Sequence, residues 1–319
     1  MRTIVINQEQ SNRRIDKVLK EIFSSMPVSA MYKAFRKKDV KVNGIRVKED
    51  HIVMTGDRVE VYIIDDILFA APKEDAFKLN QGFTTVFEDS NLLIVNKEQG
   101  IPVHPDREQA TGTLIDMVRQ YLTETGEFDP KDPCSFPPSL CHRLDRNTGG
   151  LTIIAKNSDS LKFLTEKIQD KEIRKFYQCI VKGKMDRNSD ELISYLVKDE
   201  NKSRVFISDR KTKDSLIIIT RYRVISYDSQ NDISKLDVEL VTGRTHQIRA
   251  HLAHIGHPII GDGKYGTNAI NKPFGAKYQA LWAYKLIFDF STPGVLSYLN
   301  GRSFEIEPIF KIKNIKNEG

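Results

Sequence analysis

Apolar residues recur along this chain with two periods, one helical and one of alternating strand type. From Ser11, the segment SNRRIDKVLKEIF places Ile15, Val18, Leu19 and Ile22 at i, i+3, i+4 and i+7, which predicts an amphipathic helix capped by Ser11 or Asn12. After Pro27, SAMYKAFRKKDV reads as a second short helix starting near Ser29. VKVNGIRV predicts a hairpin turning at Asn43-Gly44, and GDRVEVYII a further strand. Residues 65–82, DDILFAAPKEDAFKLNQG, hold no sustained period and include Pro72 and Gly82, so they read as a linker. From Phe83 onward, short strands (TTVFE, NLLIV, LTIIA, KFYQCIVKG, SLIIITRYRVI, KLDVELV) mix with amphipathic helices. SDSLKFLTEKIQD is one such helix, with Ser158 as cap and Leu161, Leu164 and Ile168 on one face. Another follows Gly243, with Thr245 as cap, Ile248, Leu252 and Ile255 inward, and Gly256 and Pro258 as stops. Strand and helix alternate without a regular βα period, which predicts an α+β fold on a mainly antiparallel sheet. The expected division is 1–64, a linker at 65–82, and a larger body at 83–319.

Composition sharpens this division. A chain of 319 residues at 39% hydrophobic can bury a substantial core and divide into two units. The net charge of +6 is unevenly placed: residues 1–64 carry 13 Lys and Arg against 8 Asp and Glu, and the rest is nearly balanced. A basic module on a near-neutral body points to a polyanion as partner, although a solvated basic face explains such a cluster taken alone. No apolar run approaches the roughly 20 residues of a membrane span, and MRTIVINQEQ lacks a signal-peptide core, so a cytoplasmic location is expected. Three cysteines, Cys134, Cys141 and Cys179, argue for reduced thiols over a disulfide framework.

The chemistry-bearing stretches lie in the body. CHRLDRNTGG leads directly into the strand LTIIAK, which puts Asp145 in a loop at the mouth of a buried strand. KFYQCIVKG turns Tyr177, Cys179 and Val181 one way, and VTGRTHQIRAHLAHIGHP carries Arg249 on the flank of a helix, three residues from His246. An acid, a phenol and an arginine from separate segments are what a site at sheet edges needs. Singly, a turn Asp, a half-buried Tyr and a helix-surface Arg are more often structural. His246, His251, His254 and His257 fall within twelve residues, but not at the HExxH spacing and without a carboxylate from 245 to 261, so no metal site is expected. Cys134 and Cys141 do not make a CxxC pair. Without a Walker loop, GxSxG or GxGxxG, phosphoryl transfer, hydrolase and dinucleotide readings have no support.

Taken together, NRRIDKVL through VKVNGIRV, VNKEQGIPVHP, CHRLDRNTGGL, KFYQCIVKG, VTGRTHQIRAHLAHIGHPIIGDGKYG and QALWAYKL resemble, in order, the RluA-type pseudouridine synthases of large-subunit ribosomal RNA. The resemblance runs from about Asn12 to about residue 290. HRLD followed by TGG, and GRTHQIRAHL, are its most specific parts. The chain departs from the family's usual Ser at Gly149, Pro at Glu98 and His at Trp282.

The resemblance implies the pseudouridine synthase fold, a mainly antiparallel mixed sheet preceded by a small α/β RNA-binding domain. It implies cofactor-free conversion of uridine to pseudouridine by a monomer, with RNA as partner and no nucleotide cofactor or membrane. It assigns the catalytic aspartate to Asp145, the active-site tyrosine to Tyr177 and the salt-bridging arginine to Arg249. Arg143 would enter the RNA stack vacated by a flipped uridine, or else contact phosphate. The remaining RNA-facing residues expected are His142, Arg244, His246 and Leu281 at the cleft. On the N-terminal module they are Arg13, Arg14, Lys33, Arg36, Lys37, Lys38 and Lys41. Asp145 can attack the sugar carbon or stabilise positive charge there while a ribose proton is removed. A guanidinium within about 4 to 6 Å would keep such a carboxylate ionised. A non-catalytic RNA-binding or ribosome-assembly factor on the same scaffold is the alternative.

Overall fold

The computed structural model describes residues 2–23, 28–62, 82–105, 109–199 and 204–313, without the side chains of 28–30, 32, 33 and 199. The first part runs β1 (Arg2–Val5), β2 (Arg13–Arg14), α1 (Ile15–Ile22), α2 (Val28–Lys37), β3 (Val40–Val42), β4 (Ile45–Arg46), β5 (Ile52–Val53) and β6 (Arg58–Val61). Strands β1, β6, β3 and β4 form one antiparallel sheet in that order, and β2 pairs with β5. Asn43 and Gly44 both take positive φ (51° and 80°), as a two-residue hairpin turn demands, and Asn43 tolerates it where a branched residue would not. Ile15, Val18, Leu19 and Ile22 are buried as their spacing predicts, in a core drawn entirely from residues 4–61.

The expected cap of α1 is corrected. Arg13 and Arg14 are held in β2, so the helix cannot begin at Ser11. Its first N–H groups, at Ile15 and Asp16, donate instead to His51 O (2.7 Å) and Glu49 O (3.2 Å), and Ser11 Oγ accepts from Thr55 N. Backbone groups brought in by the fold thus satisfy donors that a local side chain was expected to satisfy. The expected linker at 65–82 lies outside the described residues except for Gly82.

The body contains β7 (Phe83–Glu88), β8 (Leu92–Lys97), α3 (Leu114–Glu124), β9 (Ser139–Leu140), β10 (Gly149–Ala155), α4 (Ser158–Gln169), β11 (Ile173–Lys182), β12 (Ser189–Asp199), β13 (Arg204–Ser208), β14 (Leu216–Asp228), β15 (Ile233–Leu240), α5 (Gln247–His254), β16 (Leu281–Phe288) and β17 (Ser303–Glu305). These strands make one 11-stranded sheet, ordered β13-β12-β14-β15-β11-β16-β10-β8-β7, with β17 on β16 and β9 on β10. Its described pairings are antiparallel except β10 with β16. The sheet is mixed and mainly antiparallel within an α+β fold. Its central strands are buried on both faces: along β8, Leu92 and Ile94 enter one apolar layer while Leu93 and Val95 enter the other. That is why NLLIV reads as a continuous apolar run.

Two more caps differ from expectation. Asn157, one residue before Ser158, accepts from Ser160 N at the start of α4. At α5 the cap is His246, in left-handed conformation at φ 52°, and Thr245 lies outside the helix. Among the described residues no helix is long and apolar enough to cross a membrane.

Candidate active site

The HRLD loop is fixed from several sides before any side chain of the site is considered. Cys141 N donates to Ile153 O (2.9 Å), and Thr148 N closes a turn on Asp145 O (3.0 Å). Lys97 at the end of β8 is fully buried, and its ammonium donates to three carbonyls: Glu98 (2.8 Å), Ile101 (2.9 Å) and Arg146 (3.1 Å). Burial pushes Lys97 down to about 7, against the opposing pull of Asp145 and Glu98. Gln99 reaches Asn147 O (3.0 Å) and Gln279 O (2.8 Å), and Gln279 donates to Thr148 Oγ1 (3.1 Å). Leu144 anchors the loop in the core, so the next residue, Asp145, is turned to the partly open side with a quarter of its side chain exposed.

Arg249 meets Asp145 there. Its Nη1 stands 2.7 Å from Asp145 Oδ2, while its Nε and Nη2 grip Asp262 in a fork at 2.7 and 2.9 Å. The fork uses the planar geometry that lysine lacks. Asp262 is fully buried and also accepts from Lys264 N (2.8 Å) and Tyr265 N (3.1 Å). Burial alone would raise its pKa, but the Arg249 bonds and charge, with these backbone donors, hold it below the ordinary carboxylate value. Burial likewise works to lower Arg249, and the bonds and charges of Asp262 and Asp145 reverse that and raise it. The centre therefore holds one guanidinium clasped by two carboxylates, one sealed and one open. Tyr265 lays its ring 5.4 Å from the guanidinium and bonds His246 Nδ1 through its hydroxyl (3.0 Å); His246 Nε2 is 4.0 Å from Asp145 Oδ1.

Tyr177, on β11, is 4% exposed, and burial with the charge of Asp145 raises its pKa, so the phenol stays protonated. The structure thus brings Asp145, Arg249 and His246 into contact range and sets Tyr177 within the field of Asp145. Arg143 and Arg244 are exposed. Two of the expected RNA contacts lie against the protein itself. His142 is turned inward: its Nε2 accepts from Ile153 N (3.2 Å), burial with the charge of Lys175 pushes it down to about 3, and it serves the loop's backbone. Leu281, 3% exposed, sits in the main core and presents almost no surface. In the N-terminal module Arg36, Lys37 and Lys38 are exposed. Arg13 pairs with Glu21, Arg14 with Asp16 (3.0 Å), and Lys41 lies over the Tyr62 ring (4.8 Å). The Lys33 side chain is outside the described residues.

The remaining clustered histidines have separate partners: His251 meets Thr220 Oγ1 (3.0 Å), His254 meets Asp209 (2.8 Å), and His257 meets Lys182 O (2.9 Å). Lys97, Asp262 and Tyr265 carry no site role in the sequence reading, although VNKEQG and GDGKYG are part of the resemblance. An Asp before Gly signals a turn, and nothing local shows that Asp262 grips an arginine 13 residues back.

The chain is similar to known proteins along most of its length. The family model described as RNA pseudouridylate synthase matches residues 91–254. The ribosomal large subunit pseudouridine synthase C of Buchnera aphidicola is 33% identical over 84% of this chain and 82% of its own length. An uncharacterised RNA pseudouridine synthase of Bacillus subtilis is 29% identical over 91% of this chain and 90% of its own. Among solved structures, human RNA pseudouridylate synthase domain containing 1 aligns at a TM-score of 0.54 and 19% identity, covering 72% of this chain and 91% of that one, a likeness of fold.

Proposed function

The chain belongs to the RNA pseudouridylate synthase family and isomerises uridine to pseudouridine in RNA, and we propose that its substrate is large-subunit ribosomal RNA and that Asp145 is the catalytic group. The observation that carries the assignment is Asp145 held 2.7 Å from a guanidinium that is itself anchored by buried Asp262. The reaction breaks the bond from ribose C1′ to N1 of uracil and forms one from C1′ to C5, the C5 proton leaving and N1 gaining one. Asp145 acts at the sugar, either forming a bond to it or stabilising positive charge there while a ribose proton is removed, and Arg249 steadies its charge. Tyr177, kept protonated, offers its ring to the uracil and its hydroxyl for the proton exchange at C5. A uridine must leave its helix to reach this loop, at a cost of a few kcal/mol, and exposed Arg143 two residues away fills the gap.

Residues 1–64, with Arg36, Lys37 and Lys38 free of the body's core, act as the RNA-holding module, and the chain works as a cytoplasmic monomer. The non-catalytic alternative leaves the Asp145–Arg249–Asp262 chain without a purpose. Mapping pseudouridines in large-subunit rRNA from cells lacking this protein tests the reading. One or a few sites should disappear and return with the wild-type chain but not with Asp145→Asn. An unchanged map would overturn the substrate assignment.

A further inference from the structure

Arg249 occupies one oxygen of Asp145; the other, Oδ1, faces His246 Nε2 across 4.0 Å. That gap is too long for a direct hydrogen bond and suits one oxygen atom lying about 2.8 Å from each partner. The identity of that atom follows from which of the two neighbours donates.

Tyr265 decides this. Its hydroxyl oxygen accepts the Val205 N–H at 3.0 Å, and it lies 3.0 Å from His246 Nδ1. Nδ1 is the one acceptor recorded for the Tyr265 hydroxyl among the described residues, so the phenol proton points there and Nδ1 carries a lone pair. The imidazole hydrogen is then on Nε2, facing Oδ1 of Asp145. The ring cannot easily turn away, because His246 holds a left-handed backbone at the head of α5 and meets Tyr265 edge to face at 5.7 Å. Tyr265 is fixed in turn between Arg249 and Arg204, whose guanidinium carbons lie 5.4 and 5.1 Å from its ring centre. Burial pushes His246 down to about 4, against the pull of Asp145, so the ring is neutral at physiological pH and keeps one N–H.

An atom between an N–H donor and a carboxylate must accept from the first and donate to the second. A uracil carbonyl accepts only, and uracil N3–H donates only. A hydroxyl does both, as does a water molecule that an incoming ribose hydroxyl would replace. Building on the proposed reaction, we propose that His246, its tautomer set by Tyr265, binds the 2′-hydroxyl of the target nucleotide against Asp145. His246 is then a substrate-contacting residue that lets the site tell ribose from deoxyribose, and Tyr265 is its positioning residue. This bond also fixes the sugar at the carboxylate that acts on it, with the hydroxyl accepting from Nε2–H and donating to Oδ1.

Two measurements test it. Ring-nitrogen NMR of the wild-type protein should show His246 protonated at Nε2, and Tyr265→Phe, which removes only the hydroxyl, should release a mixture of tautomers. A wild-type His246 protonated at Nδ1 would overturn the proposal. The second measurement is the affinity for a synthetic stem-loop carrying the mapped uridine with either ribose or 2′-deoxyribose at that nucleotide. Loss of the hydroxyl should weaken wild-type binding by at least about three- to tenfold, and the penalty should be smaller in His246→Ala, where only the bond to Asp145 is left to lose. In Tyr265→Phe the penalty should fall between the two. If the losses from deoxyribose and from His246→Ala multiply independently, His246 does not touch the hydroxyl. Failure of the underlying function would look different: the wild type would leave the all-ribose stem-loop unmodified.

Discussion

Arginines meet carboxylates both in the N-terminal module and in the HRLD centre, and burial separates what the pairs do. Arg13 with Glu21 is exposed on both sides, at 35% and 40%, whereas Arg14 grips the buried Asp16 in a fork (3.1 and 3.0 Å) but keeps 48% of its own side chain in water. Water competes for both arginines, and an exposed pair such as Arg13–Glu21 contributes little to stability. Arg249 is 8% exposed and Asp262 not at all, and between them they form a two-bond fork that leaves one guanidinium nitrogen for Asp145. There a misplaced partner is not replaced by water, so geometry is kept at the expense of tolerance. The same residue types stay open to water in one region and are locked in place in the other.

Breaking the sealed side of the centre should have the largest effect. Asp262→Asn leaves the buried guanidinium short of a charge and should cost about 3 kcal/mol of stability. Displacing Arg249 by even about 1 Å should lower the rate of pseudouridine formation by about 100-fold. Chemical denaturation and single-turnover rates measure the two. A nearly wild-type rate would place Arg249 under the control of other contacts.

Next comes the strand below the loop. Gly149 lies opposite Trp282 in the β10–β16 pairing, and a Cβ at 149 would lie 2.6 Å from the indole. Gly149→Ser should therefore destabilise by about 1 to 3 kcal/mol. Trp282→His in the same chain should recover part of it, measurable in thermal unfolding. The two departures from the family's usual Ser and His then form one exchange of volume, since the indole lies where a side chain at 149 would point. Additive losses in the double variant would refute the coupling.

In the exposed region, Arg36, Lys37 and Lys38 changed together to Ala should flatten the salt dependence of RNA binding by about two to three charges, read as the slope of log affinity against log salt. An unaltered slope would remove these residues from the RNA path. Smallest of all, Glu21→Gln beside Arg13 should shift stability by less than about 0.5 kcal/mol, in contrast with Asp262→Asn.

The fold was legible wherever burial repeats along the chain. NLLIV and LTIIA are buried strands because both faces of the sheet are covered there, and α1 keeps the face its spacing predicts. β12 and β13 escaped because they sit toward the open end of the sheet, where Ile193 and Phe206 are about half exposed and the apolar signal no longer marks an inside. Helix starts at Ile15 and Gln247 were misplaced because strand pairing and a left-handed His246 set them, neither of which is local. At the site, Asp145 and Arg249 were found through motifs, whereas Asp262, Tyr265 and Lys97 were not. Their importance lies in bonds across 13, 19 and 49 residues, and such bonds leave no spacing rule to read. The inward turn of His142 was hidden for the same reason, since only the fold supplies Ile153 N as its partner.

The most direct measurement is tritium release from C5-labelled uridine in large-subunit rRNA. The wild-type chain should release label in step with pseudouridine formed, and Asp145→Asn, which keeps the shape of the side chain and loses its charge, should release none. Undiminished release by that variant, or none by the wild type, would contradict the account.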